Sequence, residues 1–422
     1  MNAIHPQTNQ KIPSVWRSVR LSSVIEEAQS GFASGERDPV GIIQLRMNNV
    51  TSRGQFDWSS SIRVPPCSKN IEAYHLRAGD VLFNNTNSTD LVGKTALFIG
   101  HEEPVVFSNH FTRLRTRTSE LLPDFLSLWL QHQWQNRVFA EICNRWIGQS
   151  AVQRDKLLEL HIPLPTISEQ QRIAAILTEQ MATVDRARAA TEAQMLTCSN
   201  LPRSYFHRCF HGITPLSATS IRDTAPTGWR WEMLSNLAKL ESGHTPSRYH
   251  PEWWGGTIPW LALPDIRALD GKVAYQTLEN TNSDGIANSS ARVLPAETVV
   301  LSRTASVGFV TMMGRPMATS QDFVNWVCGP QLDPRFLALL LRASRDCIRS
   351  LSSGAVHKTV YMPTVKAFQV CIPPLGEQQR IAATLSEQLA TVEQLSITLS
   401  EQLNTINRLP ATLLRHAFNG EL

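Results

Sequence analysis

Few residues in this chain are placed to do bond-making chemistry, and the pattern of those few is informative. Gly93-Lys94-Thr95 ends like a phosphate-cradling loop, but the glycine required five residues earlier is Ser88. Without it the backbone could not wrap phosphates as that motif does. No Gly-rich turn opens a helix after a strand, and no Asn-Pro-Pro-aromatic or Asp-Pro-Pro-aromatic tetrapeptide is present. Amino-methyltransferases use such a tetrapeptide on a flipped base. The 12 histidines are dispersed, and a lone one such as His110 reads as a surface or core residue rather than a base or ligand. Scattered Asp, Glu and Lys leave a metal-dependent nuclease triad open without pointing to one. What remains is a set of polar loops beside apolar runs: Arg46-Met47-Asn48-Asn49, Asn84-Asn85-Thr86-Asn87-Ser88 with Lys94 behind it, Ser247-Arg248-Tyr249, Ser302-Arg303-Thr304-Ala305-Ser306 and His357-Lys358-Thr359. Amides, hydroxyls and guanidinium groups at strand ends read base edges or hold phosphates. Any one of these Asn or Ser residues also serves as a turn former. As a set they make Arg46, Asn48, Asn84, Asn85, Asn87, Lys94, Ser247, Arg248, Arg303, Thr304, Ser306, His357 and Lys358 the candidate DNA-binding residues, with no catalytic or metal-binding residue.

The elements that must position these loops come twice. Glu169-Gln170-Gln171-Arg172-Ile173-Ala174-Ala175 recurs 208 residues later as Glu377-Gln378-Gln379-Arg380-Ile381-Ala382-Ala383, and 13 of 16 positions match between Glu169–Val184 and Glu377–Val392. The offset persists at Leu201-Pro202 and Leu409-Pro410, then at Phe210-x-Gly212 and Phe418-x-Gly420. Each copy follows a more divergent segment that opens alike, with Pro13-Ser14-Val15-Trp16-Arg17 and Leu21 matching Pro226-Thr227-Gly228-Trp229-Arg230 and Leu234. Leu76–Phe83 parallels Leu294–Leu301, and Ser150-Ala151-Val152-Gln153 parallels Gly354-Ala355-Val356-His357. The expected order is a head over 1–160, a helical repeat over 161–212, a second head over 213–370 and a second helical repeat over 371–422. Tandem duplication followed by divergence of the heads explains it.

Within the heads, short apolar runs broken by Gly, Pro and Asn predict strands at Val81–Phe83, Thr95–Ile99, Val105–Phe107, Val299–Leu301 and Val307–Thr311. Helical stretches follow at Pro123–Ile142 and Pro334–Leu351, so each head is α+β. Ser168 with Gln171 predicts a capping box for the first long helix, with Gly376 at the equivalent cap of the second. Val184, Ala187, Thr191, Met195, Cys198 and Leu201 form a coiled-coil seam, matched by Val392, Leu395, Leu399, Leu403, Ile406 and Leu409. The alternative is that each helix packs on its own head. Pro202 and Pro410 should end or kink both helices.

Composition sets bounds but decides little. The chain has 422 residues, 42% hydrophobic and 18% charged, enough for two or three domains. No apolar run reaches the roughly 18 residues a membrane span needs. The start of the chain lacks a secretory pattern. Seven cysteines without a Cys-x-x-Cys pair fit reduced thiols in a cytoplasm. Net charge is only +4, and 32 of the 40 basic residues are arginine, which suits guanine edges and phosphates but also follows from a GC-rich genome.

The ordered set of motifs resembles the specificity subunit of type I restriction-modification systems along nearly the whole chain. In the second head it rests on Glu241-Ser242-Gly243-His244-Thr245-Pro246-Ser247, Trp254-Gly255-Gly256-Thr257-Ile258-Pro259-Trp260 and Leu301-Ser302-Arg303-Thr304-Ala305-Ser306-Val307-Gly308. Pro373-Pro374-Leu375-Gly376-Glu377-Gln378-Gln379-Arg380-Ile381 resembles the entry to the family's conserved helical region. The first head departs from the Thr-Pro-Ser and Trp-Gly-Gly pattern and resembles another recognition-domain subclass. The resemblance implies two target-recognition domains, each reading half of an asymmetric interrupted site, separated by two long helices in an antiparallel, pseudo-two-fold coiled coil. It implies double-stranded DNA and two modification subunits as partners, with restriction/translocase subunits in a full system. S-adenosylmethionine, ATP and Mg would be used by those partners, and the chain would carry no cofactor or catalysis of its own. A methyltransferase-only or fused system, an enzyme, or a coiled-coil adaptor without DNA readout stay open as alternatives.

Overall fold

The strand Asp80–Asn84 is buried at every position, and the reason shows how the first head is built. Val81 and Phe83 join a cluster with Phe125, Leu126 and Trp129 of the helix Pro123–Gln135. The alternate residue Leu82 joins a second core with Leu45, Ala96, Phe107 and Phe111. Side chains alternate across a strand, so a strand covered on both faces loses the polar half of its pattern. The second head repeats this: Val299 and Leu301 lie in one core with Phe336 and Leu340, and Val300 lies in another with Leu261, Met313 and Phe323.

The computed structural model describes residues 16–66, 71–219, 223–354 and 358–422. They form two compact units, one from the chain up to Glu192 with Glu401–Leu422, the other from Ala193–Ser400. In the first unit, Ile25–Ser30, Phe111–Thr116, Asp80–Asn84 and Thr95–Phe98 pair in that order in an antiparallel sheet. Beside it, Ile42–Leu45 pairs antiparallel with Ile62–Val64 and parallel with Val105–Phe107. In the second unit the sheet order is Ala238–Ser242, Phe323–Cys328, Val299–Ser302, Val310–Met313 and Val273–Ala274, the last pair parallel. Trp254–Leu261 there pairs with Glu279–Thr281 and Ala318–Thr319.

Several sequence expectations need correcting. The strand expected at Val307–Thr311 begins at Val310, because Gly308 turns the chain at φ +85° and donates its N–H to the Ser302 carbonyl. The helical stretch after Pro123 breaks at Arg137, which adopts φ +63°, and the one after Pro334 breaks at Ser344. The first long helix starts at Ile167, two residues too early for a Ser168 cap; Thr166 Oγ1 instead accepts the Glu169 N–H at 3.3 Å. The second starts at Leu375, so Gly376 is helical.

The long helices cover Ile167–Cys209 and Leu375–Phe418, 43 and 44 residues, and both run through their prolines. A helix-interior proline costs about 3 kcal/mol. The burial of Phe210 beyond Pro202 and of Leu414, Ala417 and Phe418 beyond Pro410 offsets it. Within the first unit the helix stretches run antiparallel, with Arg172 donating to the Leu422 carbonyl and Ile173 and Leu177 sharing a core with Leu414 and Phe418. Within the second, Cys198 lies against Val392 while Phe210 shares a core with Ile381 and Leu385. The seam is narrower than the spacing suggested. Val392, Leu399 and Ile406 are buried, but Leu395 and Leu409 are 42% and 39% exposed. In the first copy Arg188, not Ala187, turns inward.

One buried residue explains why Glu-Gln-Gln is repeated. Gln170 accepts the Leu122 N–H and donates to the carbonyls of Glu120 and Pro165. Gln378 accepts the Asp333 N–H and donates to Gln331 and Pro373. Each glutamine thus joins the start of a long helix to the N-terminus of a head helix. The far helix ends are anchored too. Phe418 packs on Phe125 in the first unit, and Phe210 on Phe336 in the second, at centroid distances of 5.3 and 5.8 Å. Each helix therefore packs at its start on the head that precedes it and at its end in the other unit.

Candidate nucleic-acid interface

In both heads the central strand runs into a polar loop that is held by the same backbone bonds. Gly93 donates to the Asn84 carbonyl, and Gly308 donates to that of Ser302. Both glycines have positive φ, +93° and +85°, which other residues adopt only at a cost. One residue further, the Asn85 carbonyl accepts Val152 N–H and the Arg303 carbonyl accepts Val360 N–H. Asn85 and Arg303 are therefore equivalent points on a shared scaffold. This register matches Val152 to Val360, restoring the 208-residue offset, so the sequence parallel of Val152 with Val356 is four residues out. Short helices follow both points, at Arg154–Leu158 and Met362–Lys366.

Several candidate residues hold the scaffold itself. Asn84 is fully buried, donates to the His110 carbonyl at 3.4 Å and accepts from Asn87 at 3.0 Å. Asn85 donates to Thr112 at 3.1 Å. Lys94 is buried, with Nζ on the Val50 carbonyl, and burial lowers its pKa. Arg46 opens a turn closed by the buried Asn49, whose Oδ1 accepts the Arg46 N–H at 2.8 Å. Asn48 in that turn is exposed and reaches Ser60 at 3.4 Å.

The structure adds a hairpin that motif reading passed over. Asn144–Trp146 and Gln149–Ala151 pair antiparallel, and the second strand pairs with Thr86–Asn87. The Asn-rich loop and this hairpin thus form one surface, joined also by Thr89 and Ser150 hydroxyls 2.8 Å apart. Long-range pairing leaves no local sequence signal, although an apolar Trp-Ile pair before a glycine was the available clue.

In the second head, Arg303 is half-buried and donates Nη2 to the Gln321 carbonyl at 3.0 Å, while its Nε has no hydrogen-bond partner among the described residues. Thr304 pairs with Thr359, and the Lys358 carbonyl accepts the Ala305 N–H beneath an exposed side chain. Ser306 is buried and accepts from Arg267 at 3.2 Å, an arginine absent from the sequence reading. His357 lies outside the described residues. Arg248 stacks 3.7 Å above the Trp254 ring and forms a bidentate pair with Glu279 at 2.7 and 2.8 Å. These bonds raise the arginine pKa and hold the Glu279 carboxyl below its usual range. Ser247 lines an open groove nearby with His244, His250, Trp253 and Asn288. Arg248 is thus half-exposed but already paired, whereas Arg303 keeps donor capacity. Among the described residues no cluster of His, Cys, Asp and Glu could hold a metal, and no helix is long and apolar enough to cross a membrane.

Comparison with known proteins agrees with a duplicated reader. The family model for the type I restriction modification DNA specificity domain matches twice, at residues 13–192 and 226–405. The putative type I restriction enzyme MjaX specificity subunit of Methanocaldococcus jannaschii is 25% identical over 382 residues, covering 89% of this chain and 87% of that protein. The HindI specificity subunit of Haemophilus influenzae is 29% identical over 131 residues, 31% of this chain and 28% of its own length. Among solved structures, the HsdS subunit from Thermoanaerobacter tengcongensis shares the fold with a TM-score of 0.64 at 20% identity, over 98% of this chain and 99% of that one. A chain from a study of complex assembly and conformational transition in the type I R-M system reaches 0.71 at 21% identity, over 98% and 100%. With both halves matched by the family model, the chain belongs to the type I restriction-modification specificity subunits and carries two tandem DNA-recognition domains.

Proposed function

We propose that each head reads one half of an interrupted, asymmetric duplex sequence and that the paired helices set the gap and dock modification subunits. The observation that carries this reading is the shared scaffold with different display. Equivalent backbone points present Asn85 in one head and Arg303 in the other. The turn at Arg46-Met47-Asn48 has as its counterpart Ala262-Leu263-Pro264, closed by the same side-chain acceptor geometry from Asn49 and Asp265. A guanidinium favours guanine, and the first head offers none at that point, so the two heads select different bases.

On this reading the chain catalyses nothing. S-adenosylmethionine, ATP and Mg belong to modification and restriction subunits, and the complex works on duplex DNA in the cytoplasm. The test is to exchange residues 213–370 for the second head of another family member and sequence the methylome. One half of the methylated site should change and the other should stay. A change in both halves, or in neither, overturns the two-reader model.

A further inference from the structure

The hairpin Asn144–Ala151 ends in the most exposed large apolar side chain of the described residues, Ile147 at 106%, beside Trp146 at 61%. Gly148 makes the turn at φ +77°, and a Cβ there would meet nothing, so the tip stands clear of the head. Exposed tryptophan and isoleucine side by side on a turn cost stability in water, and the head does not need them: the strands behind them are pinned through Ser150 and Ala151 to Asn87 and Thr86. Arg145 is the one charged residue of the hairpin. Arg154 beyond it lies 3.9 Å from Asp155, so that pair adds no net charge. Arg145 is tied back to the Ala140 carbonyl, at the base of the hairpin. An apolar point standing clear beside the proposed base-reading loop matches side chains that wedge between base steps and unstack them. The second head differs at this point. At the 208-residue offset Gly354 and Ala355 stand in place of Trp146 and Ile147.

We propose that Trp146 and Ile147 form a wedge that inserts into duplex DNA and unstacks one base step within the half-site read by the first head, and only there. This rests on the reading of each head as a half-site reader. A wedge adds selectivity because pyrimidine–purine steps are more easily kinked and unstacked than others, so it reads a step without hydrogen bonds.

The test uses the full chain assembled with its modification subunits and a duplex carrying its methylated site, with 2-aminopurine placed at successive positions in both half-sites. With the methylated adenines and their immediate neighbours left unsubstituted, because modification subunits flip those bases, binding should raise fluorescence several-fold at one step of the first-head half-site and at none in the other. Trp146→Ala with Ile147→Ser should abolish that rise and weaken site binding several-fold, while Trp146→Phe with Ile147→Leu should keep both. A selective complex with no rise, or a rise that survives the double variant, overturns the wedge and leaves the half-site reader standing. Loss of subunit assembly with the rise intact assigns the tip to a protein contact and also overturns it. Absence of any site-selective binding by the wild-type complex overturns the underlying reading itself.

Discussion

Acid should loosen the first unit through a single histidine. His132 sits on the head helix Pro123–Gln135 with only 2% of its surface exposed, stacked on Phe418 at 5.2 Å and contacting Asn136. Burial, with Arg415 of the C-terminal helix adding repulsion, pulls its pKa from 6.5 to about 4. The folded state therefore favours the neutral ring, and the unfolded chain binds more protons between these values. Stability is present above pH 6.5 and is lost as pH falls toward 4. The full loss is about 3 kcal/mol at roughly 1.4 kcal/mol per pH unit. Between pH 7 and 5, before most carboxylates titrate, it is about 2 kcal/mol. With a urea dependence of about 2 kcal/mol/M the midpoint should drop by about 1 M. The assay is urea-dependent hydrogen exchange of peptides from Pro123–Gln135 at pH 7 and pH 5, in wild type and in His132→Gln. The variant should lose most of the pH dependence whatever its absolute stability. An unchanged pH dependence in the variant would refute the reasoning.

Phe418→Ala should cost about 3–5 kcal/mol, as large buried aromatics do, and should expose Pro123–Gln135 to exchange while sparing peptides of Pro334–Ala343. Gln170→Ala strands the Leu122 N–H and two carbonyls, so a loss of about 2–4 kcal/mol in thermal or urea unfolding is expected, and Gln378→Ala should match it. Arg303→Ala should relax one base position and weaken binding by about 1–3 kcal/mol; uniform weakening on all sequences would mark a phosphate contact instead. Four residues inserted after Glu192 and four after Ser400 lengthen both helices by about 6 Å without disturbing pairing inside either unit. The methylome should show the same half-sites with one or two extra base pairs between them, and an unchanged gap at full activity would end the role of the helices as a ruler.

Much of this architecture is written locally. A thirteen-in-sixteen repeat at constant offset specifies two equal helices, because side-chain periodicity and helix propensity act within a few residues. Alternation and turn chemistry likewise locate the central strands. The family signature at Trp254–Trp260 and Leu301–Gly308 lies in such local segments, so it was legible as well. What the sequence could not settle depends on partners far away in the chain. Asn84 and Lys94 look like free polar side chains in a loop, yet the carbonyls of His110 and Val50 claim them. Trp146 comes to lie beside the Asn-rich loop only because Ser150 pairs with Asn87. The prolines do not stop the helices, because aromatic burial beyond them outweighs a local penalty. Gln170 and Phe418 look like ordinary members of a spacer, and tertiary packing makes them parts of a head. Local rules see the spacing of residues along the chain; burial and hydrogen-bond satisfaction are properties of neighbours in space, and those only the folded chain decides.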